Sequence, residues 1–348
     1  MDNKQIASVK DLIANKKNII IVTHNNPDGD AIGSSLALYN YLIGKNKNVK
    51  VITPNKFPDN LAWLKGSSEI LVYNMKTIKC NALIQNADII FCLDFNALHR
   101  VDKMEDALRN SNAIKILIDH HLQPEIKSFN YIFSKIDITS TSELTYNLIA
   151  KLDGIEAITL DIANCVYVGI ITDTGSFSYS CNYEDCFTIC ASLLKIGIDA
   201  ETIHRKVYDT FSESRLRLLG YCLSEKLEVI DEFSTAYIWL TKEDLNRFNY
   251  QNGDTEGVVN YALSIDKIKF AALFTEREGI VRISFRSKGD IDVNEFARNQ
   301  FNGGGHRNAS GATSKISLTD TIKHFKDSLS NYRIYLENNK NEETLLAN

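Results

Sequence analysis

Apolar runs of strand length recur through the first half of the chain: NIIIVTH (18–24), NVKVITP (48–54), ADIIFCLD (87–94) and AIKILIDHH (113–121). They are continuous rather than alternating and rich in Ile and Val, the texture of strands buried on both faces. Between them the periodicity turns helical, over 30–44 and again near 100–110. TSTSELTYNLIAKL (139–152) opens with a capping-box pattern, Ser140 with Glu143 three residues on, and LDIANCVYVGIITDTGSF (160–177) supplies a further apolar run. Strands alternating with helices predict an α/β fold built on a doubly wound parallel sheet.

From about 183 to 228 the pattern is helical with charge on one side, and then the texture changes. STAYIWLT, KFAALFTEREGIVRISFRSKG and ASGATSKI read as strands and hairpins, with helices expected near 254–265, 292–301 and 318–333. The expected organisation is a first domain over 1–190, a helical linker over 191–229 and a second, smaller α/β domain over 230–340. The polar tail ENNKNEETLLAN (337–348) is expected to fray.

Composition narrows the class of protein. At 348 residues and 44% hydrophobic content, the chain can build two cores. No stretch approaches the roughly 18 to 20 apolar residues of a membrane span, and MDNKQIASVKDLIANKK lacks the apolar run of a signal peptide. A cytoplasmic protein without membrane attachment is expected. Seven cysteines with no paired zinc spacing read as reduced thiols, and Cys181, Cys186 and Cys190 read as helix-face packing rather than a metal site. A net charge of -5 argues against a grip on long or duplex nucleic acid, which needs a basic face to displace counterions. Short anionic substrates remain open.

The chemistry gathers at strand ends. The first run ends at His24, followed by Asp28 and Asp30; the third ends at Asp94, and the fourth at Asp119, His120 and His121. Asp173 follows the apolar run VYVGII. In an open parallel sheet, ligands bind beyond the carboxyl ends of the strands. Alone, Asp28 and Asp30 would be read as a turn and helix cap around Gly29, Asp94 as a strand-end cap, and each histidine as a buried hydrogen-bonded residue. Together, five carboxylates and three histidines on one sheet edge would repel and desolvate one another unless cations neutralised them. The oxygen-rich donor set suits Mn2+ or Mg2+. Two ions about 3.5–4 Å apart would share a carboxylate, an arrangement that hydrolyses phosphate esters.

In the second half, GGGHRNASG places Gly303, Gly304 and Gly305 in a row, where the backbone can approach a ligand and its amides can form an anion-binding nest. His306 and Arg286 add donors. An ordinary glycine turn between helix and strand is the plainer alternative.

HNNPDGD, LDFN, IDHH and TDTGSF resemble the four successive motifs of the DHH phosphoesterases, and FRSKGDIDVNEFARNQFNGGGHRNASGA (285–312) resembles the glycine-rich motif of the DHH-associated C-terminal domain. The resemblance spans about 15–335 and is nearest to the nanoRNase and 3'-phosphoadenosine-5'-phosphate (pAp) phosphatase type, often labelled exopolyphosphatase-related. It implies that His24 and Asp28 bind one Mn2+ and that Asp30, His120 and Asp173 bind another, with Asp94 bridging both. It further implies that Asp119 orients a neighbouring group and that His121 faces the scissile phosphate. Arg286, Ser287, Gly304, Gly305 and His306 would bind substrate. Arg100 is open between a phosphate contact and a plain surface arginine. Phe95 and Asn96 stand where many relatives have small residues, which leaves the pocket beside the bridge undefined.

The function implied is Mn2+-dependent hydrolysis, with Mg2+ as the other metal, of short oligoribonucleotides from 3' to 5', releasing nucleoside 5'-monophosphates, with pAp as a further substrate. Linear dinucleotides such as pApA, cyclic dinucleotides, or polyphosphate are alternative substrates, and a nucleotide sensor without turnover is the non-enzymatic alternative. Oligomeric state stays open, with a homodimer among the options.

Overall fold

The computed structural model describes residues 2–330. The chain divides into two compact units, one ending at Thr210 and the other beginning at Phe211. The division falls inside the stretch expected as a helical linker.

The first unit holds six strands, β1 (Asn18–Thr23), β2 (Asn48–Thr53), β3 (Leu71–Val72), β4 (Ile89–Leu93), β5 (Ile114–Asp119) and β6 (Tyr131–Ser134). All are parallel, in the order β3-β2-β1-β4-β5-β6. Its helices are α1 (Asn3–Asn15), α2 (Gly29–Gly44), α3 (Thr77–Gln85), α4 (Glu105–Arg109), α5 (Thr141–Asp153), α6 (Leu160–Asp173), α7 (Glu184–Ile196) and α8 (Ala200–Tyr208). Consecutive residues of a strand serve opposite cores. Ile19 and Ile21 pack with α2, α5 and α6, while Ile20 and Val22 pack with residues of α3 and α4. That double burial is why the strands read as unbroken apolar runs.

The four strands expected from sequence form within a residue or two of their expected ends. The edge strands β3 and β6 were not expected, because two to four residues carry too little pattern to register. The run at 160–177 forms helix α6 up to Asp173, capped at its start by Thr159.

The second unit is a mixed sheet of β7 (Leu227–Ile230), β8 (Thr235–Leu240), β9 (Phe270–Arg277), β10 (Ile280–Ser287), β11 (Gly304–His306) and β12 (Ala309–Ser314), in the order β11-β12-β10-β9-β8-β7. Helices α9 (Glu213–Glu225), α10 (Lys242–Arg247), α11 (Val258–Leu263) and α12 (Val293–Phe301) accompany it, and residues 318–330 are also helical. Along β10, Val281, Ile283, Phe285 and Ser287 are buried, and Arg282, Ser284 and Arg286 take the more open face. The final residues of the helix expected over 318–333, and the tail 337–348, lie outside the described residues.

Candidate functional site

The strand order changes direction between β1 and β4, and the loops leaving these two strands bound the crevice where an α/β sheet binds ligands. His24 is the first residue past β1. Its Nδ1 lies 2.9 Å from the Asn25 carbonyl oxygen, which turns Nε2 towards the Asp94 carboxylate at 3.3 Å and Asp28 at 3.9 Å. Asp28 is the N-cap of α2, its Oδ1 accepting from the amides of Asp30 and Ala31. The capping and site readings of Asp28 therefore hold together, since the oxygen that starts the helix also faces His24.

Asp30, in the first turn of α2, is buried, and its two oxygens accept from the Thr141 and Ser142 amides at 2.7 and 2.8 Å, the orphan donors at the start of α5. Asp94 adopts a left-handed backbone, φ 65°, directly after β4, while its amide donates to Ile118 of β5. A non-glycine residue at positive φ is held there by its surroundings. The Thr141 hydroxyl donates to Asp94 Oδ1 at 3.0 Å. His120 Nε2 stands 3.5 Å from the same Oδ1, 3.4 Å from Asp173 and 3.9 Å from Asp30. Asp119, fully buried, meets His121 Nδ1 at 2.7 Å, and its second oxygen has no hydrogen-bond partner among the described residues.

Among the donor groups that form are His24–Asp28–Asp94 and Asp30–Asp94–His120, each with ligand atoms within 4.8 Å of one another. Asp94 belongs to both, offering Oδ2 to the His24 side and Oδ1 to the His120 side. The electrostatics demand positive charge. Burial raises the Asp94 carboxyl well above the ordinary range and the Asp30 charge adds to it, while burial also raises Asp30. Burial works against a charged His24, but bonds to Asp28 and Asp94 outweigh it and push its pKa up to about 10. Burial lowers His121 against the pull of Asp119. An imidazole and carboxylate set of this kind, with an orphaned buried oxygen beside it, fits divalent cations.

Close helix packing delivers these groups, and the sequence reading missed it. A Cβ on Gly33 of α2 would lie 2.5 Å from the Cys165 carbonyl of α6. One on Gly169 of α6 would lie 2.7 Å from an Asp30 carboxylate oxygen and closer still to Ser142. Glycine at both positions lets α2, α5 and α6 converge so that Asp30, Thr141 and Asp173 reach one point. Thr141 is the candidate side chain that no local pattern marks; the cap at Ser140 was legible, but the partner of the next hydroxyl was not.

Phe95 is fully buried in the core on the α3 and α4 side, so it does not fill the pocket beside Asp94. Asn96 donates to the Leu122 carbonyl at 2.7 Å and its own carbonyl accepts from Glu125, bracing the turn after His121. Arg100 is half-buried, its carbonyl accepts from Asn25, and its positive charge contributes to the lowering of His121.

In the second unit, Arg286 of β10 and His306 of β11 both stand in register with Ala309 of β12, which lies between them. Residues directly opposite share a face, so the guanidinium and imidazole rise on either side of a small residue, two strand spacings or about 10 Å apart at the backbone. The glycine run does not form an amide nest. Gly304, Gly305 and His306 make strand β11, the Gly303 amide donates to Ala297, and the Gly305 amide donates to Asn294 Oδ1. Gly305 has φ 149°, and a Cβ there would lie 2.6 Å from the Ala309 carbonyl, so glycine serves strand pairing. Ser287 is also turned inward, its hydroxyl donating to Ile291 and accepting from Asn308.

A buried carboxylate and histidine centre at the switch point of a parallel sheet defines an α/β protein equipped for divalent cations. Residues 18–170 match the DHH family N-terminal domain and residues 233–331 match the DHHA1 domain. The chain belongs to the DHH family of phosphoesterases. It is 30% identical to the probable bifunctional oligoribonuclease and PAP phosphatase NrnA of Streptococcus mutans, over 85% of this chain and 89% of that protein. It is 25% identical to the cyclic-di-AMP phosphodiesterase GdpP of Bacillus subtilis, over 93% of this chain and 49% of that protein. A crystal structure of an exopolyphosphatase-related protein from Bacteroides fragilis shares 43% identity, with a TM-score of 0.92 over 97% of this chain and 98% of that one. Among the described residues no helix is long and apolar enough to cross a membrane.

Proposed function

We propose that the chain is a Mn2+-dependent phosphoesterase that hydrolyses short oligoribonucleotides to nucleoside 5'-monophosphates and pAp to AMP. The observation that carries this reading is the position of Asp94, whose two oxygens face separate donor groups. His24 and Asp28 would hold one cation and Asp30, His120 and Asp173 the other. Bound cations of this kind acidify the attacking water and neutralise charge on the phosphate. Asp119 would orient His121, whose ring would meet the leaving oxygen as hydrogen-bond or proton donor. Arg286 and His306 would hold the substrate phosphate, with the glycine strand and Ser287 as their frame. The likeness to NrnA supports short oligoribonucleotides and pAp as substrates, and the likeness to the cyclic-di-AMP phosphodiesterase GdpP supports cyclic dinucleotides as a second reading.

The test is turnover of a 5'-labelled RNA ladder from two to about 24 nucleotides beside pAp and pApA, with Mn2+, at two salt concentrations. The chain carries net charge -5 and so has little reserve of cations for a long backbone. kcat/KM is expected to peak at about two to five nucleotides, with weak salt dependence for the shortest. No turnover of any of these would overturn the reading, and efficient degradation of the longest strand would overturn its substrate class.

A further inference from the structure

A groove of about 710 Å3 opens on the second unit, lined by residues of α9, β8 and α10 that the proposed reaction does not use. Its floor is aromatic: Tyr221, Trp239 and Phe248. Tyr221 and Phe248 pack with ring centroids 5.1 Å apart, and the Arg247 guanidinium lies 5.2 Å from each. The buried Lys226 ammonium sits 3.5 Å over the Trp239 ring, clamped at 2.9 Å by Asp244, which also accepts from the Tyr221 hydroxyl.

This floor is fixed rather than loose, because a buried ion pair and a tyrosine hydroxyl lock two of its three rings. The cations differ in what they have left to give. Lys226 is neutralised by Asp244, and Arg217 pairs with Glu213 in an exposed contact that contributes little. Arg247 is exposed and, among the described residues, has no carboxylate partner. A guanidinium over aromatic faces, with a second arginine at the rim, is the combination that takes a flat π system and an adjoining anion together. The chain is acidic overall, so this concentration of arginine is not the general character of its surface.

We infer that the groove is a binding site for a purine nucleoside monophosphate, the base stacking on the Arg247 guanidinium that the Tyr221 and Phe248 rings back, and the phosphate meeting Arg217. A purine is favoured because its larger π face stacks more strongly. The site is independent of the reaction proposed above.

The chain has two tryptophans, Trp63 and Trp239, so a Trp63→Phe protein reports from the groove alone. Its fluorescence is titrated with AMP, adenosine and inorganic phosphate, then again with Arg247→Ala or Arg286→Ala added. Saturable change with AMP is expected, at about fivefold or more lower concentration than with adenosine or phosphate, since each lacks half of the recognised chemistry. Arg247→Ala is expected to weaken it about fivefold or more with an unchanged melting temperature, and Arg286→Ala to leave it within about twofold. No response to AMP, a response indifferent to Arg247→Ala, or one that is lost with Arg286→Ala would overturn the assignment.

Discussion

The two units solve the placement of polar side chains in opposite ways. In the first, eight ionisable groups converge at the ends of parallel strands and at helix termini, and most are buried against one another. In the second, Arg286 and His306 are spread along the open face of a mixed sheet with Ala309 between them. Convergence creates a centre that is electrostatically unsatisfied until cations enter, because buried carboxylates repel and lose hydration. Spreading creates a platform that needs no cation to stand. Losses in the first unit should therefore register as metal affinity and turnover, and losses in the second as substrate affinity.

The largest expected effect is at Asp94. Asp94→Ala should lower kcat by about a thousandfold or more, because several kcal/mol of charge stabilisation depend on the cations it helps to hold; a near-normal rate in a discontinuous assay would erase the contrast. Next come Arg286→Ala and His306→Ala, each expected to raise KM roughly ten- to a hundredfold, the cost of a charge-assisted hydrogen bond, with Mn2+ content unchanged by elemental analysis. Loss of metal in either variant would break the contrast. Thr141→Val, which removes the hydroxyl donated to Asp94 but keeps the shape, should weaken Mn2+ binding about tenfold by calorimetry while KM for substrate moves little. Smallest is Ser287→Ala, expected to lower stability by about 1 kcal/mol and leave KM within about twofold, since its hydroxyl serves Ile291 and Asn308.

The same contrast explains what could be read from sequence. Strand ends carrying His24, Asp94, Asp119 and His120 were legible because apolar runs mark the strands and a parallel sheet brings their carboxyl ends to one edge. Asp173 was legible as an acid after an apolar run, and the structure brings it in on a helix. Thr141 was not legible, since its role depends on how α5 meets α2, which Gly33 and Gly169 permit through packing and not through any local pattern. In the second unit, GGG suggested an amide nest because glycine fits both nests and close strand pairing. Only the pairing of β11 with β12 and the bond from the Gly305 amide to Asn294 distinguish the two. Ser287 was implied as a ligand group by the family resemblance alone, and a hydroxyl beside an arginine gives no sign of which way it turns.

Asp94 is proposed to join two cation sites, and metal stoichiometry tests this most directly. Protein stripped with EDTA, reloaded with Mn2+ and passed through a desalting column should retain two Mn2+ per chain and regain activity, with Ca2+ a poorer substitute because its longer bonds suit a tight site badly. Asp94→Ala treated in the same way should retain one or none. Retention of two Mn2+ by the Asp94→Ala protein, or full turnover by the stripped wild-type chain, would contradict it.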